Sequence, residues 1–441
     1  MSLFTQAQMS KIMATAEKSR QALEPPKVTK KTASMNAELN EISALVQEYF
    51  KDSKAELITS KQQLHEYIDK CIEAKYVGID TETTGLDRIH DTIVGWSLYY
   101  PGGVEVYIPC KHIIPIFNQP YKNQLTYEEC AEELQRLVDA GTRMILANAD
   151  FDIAMFYKDF KVDIVDNVYY DVISAWRCLK ENEKDNTLKG LYAKYPMHGK
   201  VDPKKFSDFF SPQLFPYCKP EIAALYAAHD AVITYELFVW QLPYVTKTHE
   251  KCKKAHLEKI ADLVWNVEMP MIKVCAMMHR NGIFFDLSTS KKLVTRYHLK
   301  YDKECAKLQQ LVDEALAQCD PITRNKCPFR SGKDFKEGSP PQVKYLCNQI
   351  IKFPTEIKET GKETLTLLNH PITNQILAVR KASKLLDTYI DKLPKVLGPD
   401  TRIHARFNSI GAGTGRMSSS EPHSGAYDVN SITQRCVAHV K

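Results

Sequence analysis

No Cys-x-x-Cys pair occurs among the 12 cysteines of this 441-residue chain. Cys71, Cys110, Cys130, Cys178 and the others are scattered without ligand spacing, which argues against a zinc or disulfide scaffold and for reduced thiols in a cytosolic chain. Long apolar runs are also lacking. The stretch from Met1 to Met13 has none, and no later stretch is read as approaching the roughly 20 apolar residues that cross a bilayer, so a soluble, intracellular protein is expected. There is no internal repeat and no low-complexity tract. Charge of one sign is scarce too: the excess is only +5, which permits a nucleic-acid partner without arguing for one, because that inference needs clustering. What is present is an ordinary globular composition, 44% hydrophobic and 26% charged, over a length that implies about two to three domains.

Residues 1–55 read as a separate arm, a tether or surface helix, partly disordered and without chemistry. It breaks at Pro25-Pro26, passes Lys27, Lys30 and Lys31, and resumes as a helix from about Asn36 to Phe50. Beyond it, Ser60 can cap a helix through Cys71, and Tyr76-Val-Gly-Ile79 is a short apolar strand running into Asp80. Thr92 to Tyr100, a Gly102-Gly103 turn and Val104 to Ile108 make a strand–turn–strand signature. A helix from Tyr127 to Ala140, an apolar strand from Arg143 to Ala147 and a helix starting near Phe151 follow, and this alternation implies a mixed α/β sheet. Residues 219–239 predict an amphipathic helix, apolar from Ile222 through Leu237. After about residue 245 the strand signals fade. Residues 246–281, 287–318, 340–351 and 363–398 read as helices, and Arg402 to Ser409 is extended before a Gly411-x-Gly-x-Gly415 loop.

Asp80-Thr-Glu82 falls at a strand end, where side chains two apart face the same way and both carboxylates can reach one metal. Two hard cations held by converging carboxylates would orient a hydroxide and stabilise the departing 3′ oxygen of a phosphodiester. Alone, Asp-x-Glu is more often a solvated strand end. Here Asn148-Ala-Asp-Phe-Asp152 places a further aspartate just past a strand, and Tyr226 and Asp230 share a face of the 219–239 helix. A tyrosine one turn from a metal-binding aspartate can hold the attacking water through its hydroxyl.

Asp80 to Leu86, Asn148 to Asp152 and Tyr226-Ala-Ala-His-Asp230 resemble the three exonuclease motifs of the DnaQ-like superfamily, whose fold is ribonuclease H-like. The resemblance implies that Asp80, Glu82, Asp152 and Asp230 bind two Mg²⁺ or Mn²⁺ ions, and that Leu86 and Asn148 contact a single-stranded 3′ end. Leu225 stands where the histidine subclass has its general base, so the chain is similar to the tyrosine subclass and Tyr226 is its catalytic tyrosine. His229 is assigned a surface or supporting role. Asp150 departs from the lysine that polymerase members often carry.

Glu268-Met-Pro-Met-Ile272, Met278 to Asp286, Asp387 to Pro394 and Thr414-Gly-Arg-Met-Ser-Ser-Ser420 resemble, in order, segments of family A DNA polymerases. That resemblance implies a proofreading exonuclease over residues 56–245, a helical thumb over 246–400 and the start of a palm over 401–441. Primer-template DNA would be the partner, with Arg416, Ser418 and Ser419 against the primer end. Residues 373–406 hold seven Lys/Arg against three Asp/Glu, a bias that suits phosphate tracking as well as it suits a solvated helix face. The family's later palm and fingers motifs do not occur in the sequence. On its own this sequence is therefore expected not to polymerise, the remainder coming from a second polypeptide of a split, phage-type enzyme or the chain being a truncation product. The competing expectations are a DNA-binding assembly subunit and a free-standing exonuclease of ribonuclease D type.

Overall fold

The computed structural model describes residues 30–183, 185–201, 204–409 and 416–420. They divide into two units, one running to Arg280 and including Phe407–Ser418, the other comprising Asn281–Arg406 and the residues from Ser419 on.

The first unit is built on a mixed sheet of six strands: β1 (Glu56–Leu57), β2 (Tyr76–Thr83), β3 (Ile93–Tyr99), β4 (Val106–Pro109), β5 (Arg143–Leu146) and β6 (Val168–Asp171). Their order across the sheet is β1-β4-β3-β2-β5-β6. The central strand β2 pairs antiparallel with β3 and parallel with β5. The expected strand–turn–strand is β3 and β4, and Gly102 in the turn between them takes φ 79°, a conformation that favours glycine. Helices α1 (Lys30–Tyr49), α2 (Lys61–Ala74), α3 (Tyr127–Asp139), α4 (Ala149–Asp159), α5 (Val172–Leu179), α6 (Leu188–Lys194) and α7 (Pro220–Val245) accompany the sheet. Ser60 caps α2 by accepting from the Gln63 amide, and Thr126 with Glu129 closes a capping box on α3.

Two expectations need correction here. The arm is not a detached tether over its described part, because α1 buries Leu39, Ile42 and Val46, and Ile42 and Val46 pack with Ile222, Ala223 and Ala227 of α7. For the same reason α7 is not amphipathic. The sheet lies against one side and α1 against another, so Tyr226, Ala227, Asp230, Ala231, Ile233 and Leu237 are all buried. By length and composition alone α7 is apolar enough to cross a bilayer, which overturns the reading that no stretch approaches that size. Two-thirds of its most apolar window (67%) is buried inside the fold, as befits a core helix.

The second unit is helical. Long α9 (Leu287–Gln318) follows α8 (Met269–Asn281), which ends at the junction of the units, and α10 (Pro371–Leu385) packs along α9. Leu308, Val312 and Leu316 meet Val343, Leu346, Ile376 and Val379 in a core of their own. The continuous helix expected over 246–281 is interrupted where His256 (φ 54°) turns left-handed, whereas the break expected at Pro371 within 363–398 is present, with Asn369 (φ 44°) ending one helix just before Pro371 starts the next. Ile283–Phe284 and Arg402–Ile403 pair antiparallel within this unit.

Candidate metal centre and nucleic-acid site

β2 carries Asp80 and Glu82 two residues apart in extended backbone, so their side chains leave the same face. α7 crosses that face with Asp230, and carboxylate oxygens of Asp80, Glu82 and Asp230 come within 4.8 Å of one another. Asp152, in the first turn of α4, stands beside this trio. Its Oδ1 accepts from the Thr81 amide at 3.1 Å and the Thr81 hydroxyl at 2.5 Å, which ties α4 to β2 between Asp80 and Glu82. Lys189 of α6 was not anticipated. Its Nζ lies 3.0 Å from Asp230 Oδ1 and 3.4 Å from the centroid of the Tyr226 ring.

Tyr226 sits one turn before Asp230, buried in a box of aromatic edges from Phe206, Phe209, Phe210 and Phe50. Phe50 comes from the arm that the sequence left without chemistry. Burial pushes the Tyr226 phenol well up, so it remains a neutral hydroxyl at working pH. His229 Nδ1 pairs with Glu105 Oε2 at 2.9 Å. Burial opposes its charge, but this hydrogen bond and the Glu105 charge leave the imidazolium raised overall. A cavity of about 720 Å³ opens between α7, α6 and the arm, with Tyr226, Asp230 and Lys189 in its wall.

The residues expected to touch DNA are less gathered. Leu86 is 82% exposed in the loop after β2. Asn148 is exposed at the start of α4 with φ 62°, its side chain making no capping bond. Asp150, where lysine is frequent in the family, is engaged by Arg88 at 2.6 Å. Arg416 is exposed, and Ser418 and Ser419 are half-buried in a short strand, Ser418–Ser420; the glycine loop at 411–415 lies outside the described residues. Of the basic residues in 373–406, Arg380 donates to the Glu337 and Thr360 carbonyls and Arg402 to the Asn281 carbonyl. Those two are structural, which weakens the charge-count argument for phosphate tracking.

Metal chemistry fits the donor set. Burial, then the neighbouring Asp152, Asp230 and Glu82, hold the Asp80 carboxyl well above its ordinary range. Burial and Asp230 push Glu82 up to about 8, and burial pushes Asp152 up to about 7 against the Thr81 hydrogen bonds. Carboxylates so crowded are costly to ionise unless a cation joins them. A group whose pKa is raised on folding contributes its stability fully below the unfolded value and loses it as pH rises through the folded value. In EDTA, the melting temperature should therefore fall between pH 5 and pH 8, by about 2–4 °C per kcal/mol lost. Millimolar Mg²⁺ should recover more of it at pH 8 than at pH 5, and Glu82→Gln should flatten the EDTA slope. A melting temperature that rises from pH 5 to pH 8 in EDTA would refute this account.

Residues 55–239 match the family described as 3'-5' exonuclease, which encloses all four carboxylates. Residues 303–434 match DNA polymerase family A. Residues 55–239 thus carry a 3′–5′ exonuclease domain, and residues 303–434 are similar to part of the family A DNA polymerase module. It is 27% identical over 376 residues to DNA polymerase I of Borreliella burgdorferi, covering 83% of this chain and 37% of that protein. It is 25% identical over 371 residues to DNA polymerase I of Pseudomonas aeruginosa, with 81% and 37% covered. The thermostable DNA polymerase I of Thermus aquaticus is 30% identical over 177 residues, 38% of this chain and 19% of that one. The chain thus spans about a third of the length of the first two relatives. In fold it is similar to the POL domain of Pol1 from M. smegmatis in complex with DNA primer-template and dNTP, at TM-score 0.59 and 18% identity, over 84% of this chain and 55% of that one.

Proposed function

We propose that this chain removes nucleotides from single-stranded 3′ ends of DNA as the proofreading exonuclease of a family A polymerase. The observation that carries the reading is the convergence of Asp80, Glu82 and Asp230 from a strand and a helix far apart in sequence. These three, with Asp152 beside them, would hold two Mg²⁺ or Mn²⁺ ions, which when bound orient a hydroxide and stabilise the leaving 3′ oxygen. Tyr226, kept neutral by burial, positions the attacking water as a hydrogen-bonding hydroxyl rather than as a base. Leu86, exposed beyond β2, offers an apolar surface for the terminal base, and Asn148 an amide beside it. Residues 56–245 are the exonuclease domain in this reading, 246–400 the thumb and 401–441 the beginning of a palm, with Arg416, Ser418 and Ser419 toward primer-template DNA. A cytoplasmic location accords with that role. The match of residues 303–434 to family A polymerases disfavours a free-standing exonuclease of ribonuclease D type.

The test is hydrolysis of a 5′-labelled single-stranded DNA, and of the same sequence in RNA, with Mg²⁺ and with EDTA. Stepwise shortening from the 3′ end, dependent on metal and faster on DNA, is expected. Tyr226→Phe should lower kcat by about 10²-fold with KM retained, since it removes a group that acts on the water and not on the strand. Equal activity in EDTA, or a preference for RNA, would sink the proposal.

A further inference from the structure

Lys189 has a setting that its sequence does not advertise. α6 begins at Leu188 on a Thr187 cap, where the Thr187 hydroxyl and the Asp185 carboxylate bond to one another at 2.7 Å. A Cβ on Gly190 would meet Asp185 Oδ2 at 2.4 Å and Thr187 Oγ1 at 2.7 Å, so a larger residue there would have to displace the two capping side chains. α6 then packs on α7 and delivers the Lys189 ammonium to Asp230. The lysine side chain is 17% exposed and the aspartate's 12%. Among the described residues the ammonium makes no directional hydrogen bond. What holds it is charge alone, from the Asp230 carboxylate on one side and the face of the Tyr226 ring on the other.

Oxygens of Asp80, Glu82 and Asp230 lie within 4.8 Å of one another, and bare like charges at that spacing repel. A single ammonium against Asp230 offsets part of that repulsion. It also engages one oxygen of a carboxylate that a divalent ion would need. A lysine is suited to yield, because its charge is a compact point on a flexible stem and, unlike an arginine fork, is not locked bidentately.

We propose that Lys189 is the resident counter-cation of the acidic cluster, that a divalent ion takes Asp230 by displacing it, and that it thereby sets the site's metal affinity while keeping the carboxylates assembled without metal. It is a positioning residue, acting through Asp230. The inference rests on the two-metal reading above and adds a threshold to it: the centre is competent only when free metal exceeds what displacement of the lysine requires.

The experiment is calorimetric titration of the full chain with Mn²⁺, without DNA, for the parent, Lys189→Met and Lys189→Arg, with melting in EDTA beside it. Lys189→Met keeps the apolar stem and removes the charge. It should bind Mn²⁺ about tenfold more tightly or better, the scale of one opposite charge at contact, and should melt lower than the parent in EDTA but not with Mn²⁺. Lys189→Arg, which keeps the charge but can lock onto the carboxylate bidentately, should bind Mn²⁺ no more tightly than the parent and melt no lower in EDTA. Should Lys189→Met fold poorly, the parent itself serves: in lysine-methylated protein the Lys189 ¹³C signal should move on Mn²⁺-analogue (Mg²⁺) titration with the binding constant of the site. Unchanged or weaker affinity in a folded Lys189→Met, or a Lys189 signal unmoved at metal saturation, overturns the inference while leaving DNA hydrolysis by the parent untouched. A parent that binds no divalent ion overturns both.

Discussion

Asp80→Ala should lower hydrolysis of single-stranded DNA by about 10³-fold or more while leaving the metal-free protein at least as stable as the parent. The two halves of that expectation have one cause. Asp80 has Asp152, Asp230 and Glu82 as acidic neighbours, and each of these, after burial itself, pushes its carboxyl above the usual range. Without metal this crowding opposes folding above the carboxylate range, so removing one member relieves it. With metal, the same crowding is what binds the ion, and a lost ligand forfeits several kcal/mol of charge stabilisation at the transition state, each 1.36 kcal/mol being worth about tenfold in rate. Measuring kcat/KM on a 5′-labelled strand and the melting temperature in EDTA at pH 8 checks both. A variant that is inactive and also markedly less stable would point to a structural role for Asp80. One that keeps near-parental activity would remove the carboxylate cluster from the chemistry.

How far this was legible in the sequence depends on the range over which each signal acts. Asp80 and Glu82 could be paired because strand periodicity is local, and Asp152 and Asp230 because they follow in order, each placed by the element that carries it. The strand–turn–strand around Gly102 and the Ser60 cap were equally local. Lys189 was not legible. It is one lysine or arginine among 59, on a seven-residue helix, and its meaning arises only when α6 lies on α7. Phe50 was passed over for the same reason, since a residue beyond the end of α1 becomes part of the Tyr226 box only through long-range packing. The error over α7 is instructive. Its apolar pattern was read as one-sided because cores usually cover one face of a helix, whereas here α1 covers a further side.

Gly78→Val should cost both fold and activity. Gly78 lies in β2 two residues before Asp80, paired across the sheet with Tyr99 and Ile145. A Cβ built there would stand 2.2 Å from the carbonyl oxygen of Ala231, 3.1 Å from its carbon and 3.2 Å from Tyr235 Cβ. The obstacle is α7 backbone, so no rotamer change relieves it and the helix must move away from the strand. Ala231 is the residue after Asp230, and the helix that would have to move is the one that brings Asp230 to Asp80 and Glu82. Overpacking of this kind costs about 1–3 kcal/mol or more in stability. A displacement of the order of 1 Å at a catalytic centre costs about 10²-fold in rate. The signature that separates this from simple unfolding is metal affinity. In the fraction that remains folded, Gly78→Val should bind Mn²⁺ more weakly than the parent, with Gly78→Ala intermediate, because the ligand set itself has been pulled apart. Should a folded Gly78→Val bind Mn²⁺ and hydrolyse DNA as the parent does, the close approach of α7 to β2 would not be what assembles the site.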